Sequence, residues 1–239
     1  MYQLIITKFM KSVPRVFILL FFLLLLSAVL LRHFVPVSGA LDMQLIQPWI
    51  NTSGQFKLRD NWYLAVLNHE IVKKIIIAAS IGFLTLWLAS FQCSRLQAQR
   101  LNYGYLFWVS LLSSSLVGLW KSQSDHACPW NMLHLQNAQR IWDLHPIAGH
   151  CFPGGHASAG FALIAGFFAF RLQHPQRANF YLVAGLILGM GMGWAQMMRG
   201  AHFLSHNLWT LWLVLALNTL CYALFYTRFK AQTNALKPT

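Results

Sequence analysis

Six long apolar runs, separated by shorter polar segments, dominate the pattern of the chain. They lie at about residues 16–34, 72–92, 103–120, 157–173, 179–198 and 206–227. Each is close to the ~20 residues that an α-helix needs to cross a bilayer. No run alternates apolar and polar residues with a period of two, so membrane-spanning strands are not expected. The pattern predicts an all-α fold, a polytopic membrane bundle of six transmembrane helices, with residues 1–239 forming one domain.

The composition agrees with a membrane protein. Hydrophobic residues make up 57% of the chain and charged residues only 10%, well below the ~25% charged residues of soluble domains. The net charge is +13, from 18 Lys and Arg against 5 Asp and Glu. Because the basic residues are scattered between apolar runs and form no stripe, nucleic acid is not an expected partner. The expected partner is the bilayer, whose anionic headgroups attract a basic protein.

The charges also predict an orientation. With six spans, one side of the membrane receives the basic residues Lys8, Lys11, Arg15, Arg95, Arg100, Arg171, Arg177, Arg228, Lys230 and Lys237. The positive-inside rule makes that side cytoplasmic. All five acidic residues fall in segments of the opposite side. The run ends near Lys121, His156 and His202 then share the non-cytoplasmic face, where segments remote in sequence meet.

The first run has two interpretations. A basic start, an apolar centre and Ser38-Gly39-Ala40 fit a cleavable signal peptide. The long amino-terminal region and the Arg32-His33 pair favour an uncleaved anchor. The other five helices keep their orientation in either case.

Three glycines, Gly185, Gly189 and Gly193, recur every four residues in the fifth run. This spacing places them on one face of a helix. Small residues let membrane helices approach closely. The spacing therefore predicts close packing of the fifth helix against a neighbour.

Four cysteines fall into two groups. Cys93 and Cys221 lie in or near spans, where a thiol is usually a packing residue. Cys128 and Cys151 both lie in the outer segment 121–155, and an oxidising compartment allows them to form a disulfide. Free or metal-binding thiols are the alternative.

Two histidine-containing segments carry the candidate chemistry. In the first, Pro153-Gly154-Gly155 directly precedes His156 at the start of an apolar run. Backbone N–H groups at a helix start favour anions, above all phosphate. The second segment, residues 199–206, reads Arg-Gly-Ala-His-Phe-Leu-Ser-His and occupies a comparable position. Together they predict phosphoryl chemistry at a membrane surface.

With Lys121-x6-Cys128-Pro129 before them, these segments resemble the three blocks of the type 2 phosphatidic acid phosphatase (PAP2) superfamily. The family blocks are Lys-x6-Arg-Pro, Pro-Ser-Gly-His and Ser-Arg-x5-His-x3-Asp. The resemblance covers residues 121–206 directly. It implies a lipid phosphate substrate, a phosphohistidine intermediate, and neither a metal nor another cofactor. It also implies that His156 is the general acid that protonates the leaving oxygen.

The first two blocks depart from the family pattern. Cys128 replaces the family's Arg, although Lys121 remains as a point charge for a phosphate oxygen. Arg140 is a candidate for the missing guanidinium. Gly154 replaces the family's Ser, so a hydroxyl donor is lost, but the backbone of Gly154 and Gly155 is free to approach an anion closely.

The third block has two alignments. In the favoured one, His202 is the nucleophile, His206 stands in the place of the family's Asp as its catalytic partner, and Gln196 replaces the Arg. Arg199, three residues later, then binds phosphate. The other alignment matches Arg199 and His206 to the Arg and His of the family block. Six residues then separate them instead of five, and Thr210 stands in the place of the Asp.

Three alternatives remain open. The first is a lipid phosphotransferase, since a phosphohistidine accepts either water or another lipid. The second is a lipid-binding homologue with impaired catalysis. The third is a metal enzyme using the His202-x3-His206 pair. It draws on the outer-face histidines 126, 134, 145, 150, 156, 202 and 206. The preferred prediction is a metal-free lipid phosphatase of a bacterial inner membrane, with its site facing the periplasm.

Overall fold

The computed structural model describes residues 14–137, 139–144 and 149–236, apart from the side chain of His69. Lys8, Lys11 and Lys237, which contribute to the predicted orientation, lie outside the described residues, as does His145. That residues 1–239 form one domain stays a prediction.

The described residues form helices and one short hairpin. The elements are α1 (Arg15–Phe34), α2 (Ala40–Ile46), α3 (Tyr63–Ala89), α4 (Ser94–Gln97), α5 (Arg100–Ser122), α6 (Pro129–Met132), β1 (Leu133–Gln136), β2 (Gln139–Trp142), α7 (Gly155–Phe170), α8 (Pro175–Met198) and α9 (Leu204–Ala235). A 3-10 turn, Gln47–Trp49, follows α2. The first part of α3, Tyr63–Val72, is wound as a π-helix, and Ala162–Ile164 within α7 forms a 3-10 turn.

The predicted all-α membrane bundle is confirmed. Within the described ranges, five helices are long and apolar enough to cross a membrane: α1, α3, α5, α8 and α9. The fourth predicted span corresponds to α7, which is apolar but shorter than 18 residues. At 1.5 Å per residue its length is about 24 Å, less than the ~30 Å hydrocarbon core. α7 is thus shorter than the five candidate spans, so the number of six spans stays a prediction. The Pro-Gly-Gly-His turn lies at the start of α7.

Two features outside the apolar runs differ from the sequence pattern. α3 begins at Tyr63, well before the predicted start at residue 72, because Glu70, Lys73 and Lys74 interrupt the hydropathy there without breaking the helix. The outer segment also forms an antiparallel hairpin, in which Leu133 pairs with Trp142. Hydropathy detects spans, so it misses polar extensions of helices and short surface strands.

Side-chain hydrogen bonds to backbone carbonyls hold α7 against α5. The amide of Asn102 donates to the Ala169 carbonyl at 2.9 Å, and the Ser110 hydroxyl donates to the Ala162 carbonyl at 2.8 Å. All these groups are buried. The helix that carries the candidate histidine is therefore fixed on the helix that ends in the candidate lysine.

The close packing that the glycine spacing predicted is confirmed: Gly185 and Gly189 of α8 pack against α7, and Gly193 packs against Asn207 of α9. A Cβ on Gly185 would lie 2.8 Å from the Ile164 side chain, and a Cβ on Gly189 would overlap the Phe161 ring. A Cβ on Gly160 of α7 would in turn overlap the backbone of Gly189. The two backbones approach so closely that neither helix accommodates a side chain at their crossing.

The outer loop before the Pro-Gly-Gly turn is tied to the segment after α5. A disulfide joins Cys128 and Cys151, whose Cα atoms are 5.1 Å apart. The N–H groups of His150 and Cys151 donate to the carbonyls of Ser124 and His126, each at 2.9 Å. This pairing fixes the start of the turn beside the first candidate block.

Candidate active site

Three segments remote in sequence meet at one end of the bundle. Lys121 lies in the last turn of α5, His156 in the first turn of α7, and His202 between α8 and α9. A Cβ placed on Gly155 would lie 3.6 Å from Lys121 Nζ. The ring centroids of His156 and His202 are 6.1 Å apart. An ammonium group, a glycine turn and two imidazoles therefore surround one small volume.

His202 and His206 form a buried imidazole pair. Their Nδ1 atoms are 3.4 Å apart, and both side chains are almost fully buried. The pair does not arise from helical spacing, because α9 begins at Leu204 and His202 precedes it. Nδ1 of His202 thus faces His206, and Nε2 is its other ring nitrogen.

The environment of His202 favours its neutral form. Burial lowers the pKa of His202 well below its ordinary value, and the nearby His206, Lys121 and His156 lower it further. A hydrogen-bond interaction with the backbone of Cys151 acts in the opposite direction. A neutral imidazole keeps the lone pair that a nucleophile needs.

The Gly154 backbone is already hydrogen-bonded within the protein. Its N–H donates to the His206 carbonyl at 3.1 Å, and its carbonyl accepts from the Thr210 hydroxyl at 3.1 Å. The Gly154 N–H is therefore occupied within the protein, and a role for Gly154 in binding phosphate stays a prediction. Gly155 is the first residue of α7, and an N–H at this position has no acceptor within the helix.

The structure holds Arg199 against Gln196 of α8 and the segment between α2 and α3. Its Nε donates to the Arg59 carbonyl at 2.8 Å, and one terminal nitrogen donates to Gln196 Oε1 at 3.2 Å. Gln196 is itself buried. Arg140, the other candidate guanidinium, is exposed on β2. A role for Arg199 in binding phosphate stays a prediction.

Asp42 is a site-supporting residue that the sequence did not reveal. This carboxylate, in α2, is fully buried and accepts hydrogen bonds from the Ser205 N–H at 2.9 Å and from the Ser205 hydroxyl. It thereby accepts a hydrogen bond from a backbone N–H that has no acceptor within α9, the helix that carries His206. Burial raises the pKa of Asp42, and the bonds from Ser205 oppose this shift. No local pattern around Asp42 indicates a partner 163 positions away.

A comparison of the sequence with protein families assigns the chain to one of them. The model of the PAP2 superfamily matches residues 102–230, more than half of the chain. The chain belongs to the PAP2 superfamily. Comparisons with curated proteins and with solved structures gave no significant match.

PAP2 proteins are generally phosphatases, so phosphatase-type activity is indicated for this chain. In phosphoryl transfer, the protein positions the reacting groups and stabilises charge on the phosphoryl oxygens. Lys121 and the turn at Gly155 supply charge and donors, while His156 and His202 supply ring nitrogens. Among the described residues, no group of three or more His, Cys, Asp or Glu is arranged to hold a metal ion.

Proposed function

We propose that this PAP2 protein is a metal-independent lipid phosphatase. Its substrate is a phosphate or diphosphate monoester of a lipid, and the reaction passes through phosphohistidine. The observation that carries the proposal is the pair of imidazoles from separate elements, His156 and His202, 6.1 Å apart beside Lys121. The apolar helices keep the lipid chains in the bilayer while the headgroup reaches this end of the bundle.

The reaction proceeds in two steps. In the first, Nε2 of His202 attacks phosphorus, the bond from phosphorus to the lipid oxygen breaks, and His156 gives its proton to that oxygen. His206 accepts a hydrogen bond from Nδ1–H of His202, which fixes the tautomer that leaves Nε2 unprotonated. In the second step, His156 removes a proton from water, which attacks phosphorus and releases phosphate from His202.

The substrate test is phosphate release by the detergent-purified full chain from a panel of lipid phosphates. The panel contains prenyl diphosphate, phosphatidylglycerophosphate, phosphatidate and lipid A phosphate, and each is assayed with and without a chelator. We expect release from at least one lipid, unaffected by the chelator, and little release by His156→Ala. Loss of activity on chelation contradicts the metal-free mechanism. Transfer to a second lipid without release of phosphate identifies a phosphotransferase.

We further propose that the site faces the non-cytoplasmic side, which in a bacterial inner membrane is the periplasm. Support comes from ten of the 18 Lys and Arg residues, among them Arg95, Arg171 and Arg228, which lie in segments of one parity, whereas all five acidic residues lie in segments of the other. A reporter enzyme that is active only in the cytoplasm is therefore expected to be active when fused after Thr239. Activity of a reporter confined to the opposite compartment contradicts the orientation.

The pH profile tests the role of His202. Because burial and nearby positive groups lower its pKa, the neutral nucleophile persists below the ordinary value of about 6.5. Activity is then lost only as the pH falls through the lowered value. We expect the acidic limb of kcat/KM, corrected for ionisation of the substrate, to have its midpoint below 6.5.

Lys121→Gln provides the internal comparison for this profile. The variant removes one of the charges that lower the pKa of His202, so its acidic limb is expected to move to higher pH. Ionisation of the substrate is the same for both proteins and cancels in the difference. An unchanged or lower midpoint contradicts the electrostatic assignment, even if the overall rate has fallen.

A further inference from the structure

The Asn207 carboxamide is a buried polar group without a protein partner. Asn207 is 1% exposed, and among the described residues neither its Oδ1 nor its Nδ2 has a hydrogen-bond partner. Leaving a buried polar group unpaired is costly, and such groups are uncommon in native proteins. The carboxamide therefore points to a ligand that supplies the missing partner.

The carboxamide lies against the glycine turn of the candidate site. Asn207 directly follows His206 in the first turns of α9. A Cβ on Gly154 would lie 2.5 Å from Asn207 Oδ1, whereas the Cβ of Gly155 would face Lys121 Nζ. The two consecutive glycines are thus flanked by an amide on one side and an ammonium group on the other.

The turn itself does not satisfy this amide. The N–H of Gly154 is taken by the His206 carbonyl, and the carbonyl of Gly154 is taken by Thr210. On its other side the amide packs against Gly193, where a Cβ would lie 2.6 Å from Asn207 Cγ. Rotation of the carboxamide by 180° exchanges oxygen and nitrogen without changing its shape, so the NH2 group is able to face the turn.

We propose that Asn207 is a phosphate-binding residue, whose NH2 group donates a hydrogen bond to a non-bridging phosphoryl oxygen at the Gly154–Gly155 turn. The amide occupies the space that a side chain at position 154 would take. It supplies from α9 the donor that Gly154 lacks. This inference rests on the proposed phosphatase function and adds a binding group to the same site.

The test is equilibrium binding of inorganic phosphate to the detergent-purified full chain, measured by calorimetry without turnover. Asn207→Ala is expected to weaken phosphate binding by about 10- to 100-fold, the usual effect of losing a hydrogen bond to a charged group. Asn207→Asp keeps the shape but replaces the donor with a negative oxygen, so it is expected to bind phosphate still more weakly.

Asn218→Ala is the matched control. Asn218 lies in the same helix and is fully buried, but its amide nitrogen donates to the Val214 carbonyl, so among the described residues only its Oδ1 is without a partner. Its replacement is expected to lower the thermal unfolding temperature without changing phosphate affinity. If Asn207→Ala and Asn207→Asp behave in the same way as this control, Asn207 is only a packing residue and the inference is overturned.

A second pair of variants tests whether the Asn207 amide occupies the space that a side chain at position 154 would take. Gly154→Ser alone is expected to impair binding, because the new side chain meets the carboxamide. Combined with Asn207→Ala, the serine hydroxyl enters the vacated space and is expected to recover most of the lost affinity. A double variant that folds but binds no better than Asn207→Ala contradicts the shared position. If it does not fold, the Ala and Asp variants decide the question.

The outcomes separate this inference from the proposed function. A wild-type chain that binds phosphate through Asn207 but hydrolyses no lipid of the panel defeats the phosphatase proposal alone. A wild-type chain that hydrolyses lipid phosphate, with phosphate affinity unchanged in the Asn207 variants, defeats this inference alone. A wild-type chain that binds no phosphate overturns the inference and removes a support of the phosphatase.

Discussion

Replacing His202 with alanine is expected to reduce phosphate release by at least about 10³-fold, because the variant lacks the atom that bonds to phosphorus. Lys121 and the glycine turn would still bind the headgroup, so KM is expected to change less than kcat. Wild-type protein incubated briefly with labelled substrate is expected to carry an acid-labile label on histidine. The alanine variant is expected to carry none.

His134→Ala is the control for this substitution. His134 lies on β1 of the outer hairpin and is exposed, so its loss is expected to leave release and labelling unchanged. Activity of His202→Ala within about tenfold of wild type would be incompatible with a nucleophile at this position. Label retained by that variant would show that another residue forms the covalent bond.

In the alignment that makes His202 the nucleophile, His206 stands where the PAP2 pattern has a carboxylate. A carboxylate stabilises a positive imidazole by charge, whereas a second imidazole offers only a hydrogen bond. In this chain the neighbouring charges also disfavour a positive His202. A low pKa makes the His202 imidazole a weaker base but keeps it unprotonated. The arrangement therefore suits phosphoryl transfer with an unprotonated nucleophile, including at acidic pH.

The helices and the meeting of three segments could be predicted from the sequence. Crossing a bilayer requires ~20 apolar residues, a constraint strong enough to locate the apolar helices from hydropathy, although the start of α3 and the short length of α7 were not predicted. Once the spans are ordered, parity places Lys121, His156 and His202 at the same end. Membrane thickness thus fixes the coarse geometry without any knowledge of side-chain contacts.

The inner details of the site could not be predicted, because they depend on backbone groups brought together by the fold. The Gly154 N–H donates to a carbonyl from α9, and Arg199 donates to the carbonyl of Arg59 in the segment between α2 and α3. Asp42 stabilises the start of α9 from α2. Hydropathy and motif spacing carry no information on which carbonyl or carboxylate is the nearest partner.

Gly189→Ala is expected to destabilise the protein, whereas Gly191→Ala, two residues further along α8, is not. A Cβ on Gly189 would overlap the ring of Phe161, which is fully buried and has no room to move aside. Overpacking of this kind costs about 1–3 kcal/mol of the free energy of unfolding. Gly191 is exposed, and a Cβ there meets nothing within 4 Å. Its replacement is expected to be neutral or to stabilise the helix by up to about 1 kcal/mol.

The same pair connects helix packing to catalysis. Because α7 both packs on Gly189 and begins with the turn before His156, separating the helices displaces the proposed acid from His202. In Gly189→Ala, the thermal unfolding temperature in detergent and the rate of phosphate release are both expected to fall. In Gly191→Ala, both are expected to stay at the wild-type level or above it. If Gly189→Ala unfolds at a lower temperature but keeps full activity, the crossing stabilises the bundle without positioning His156. Equal unfolding temperatures for both variants would contradict the close approach of α7 and α8. Joint loss in one variant and none in the other would instead link the glycine face to the geometry of the site.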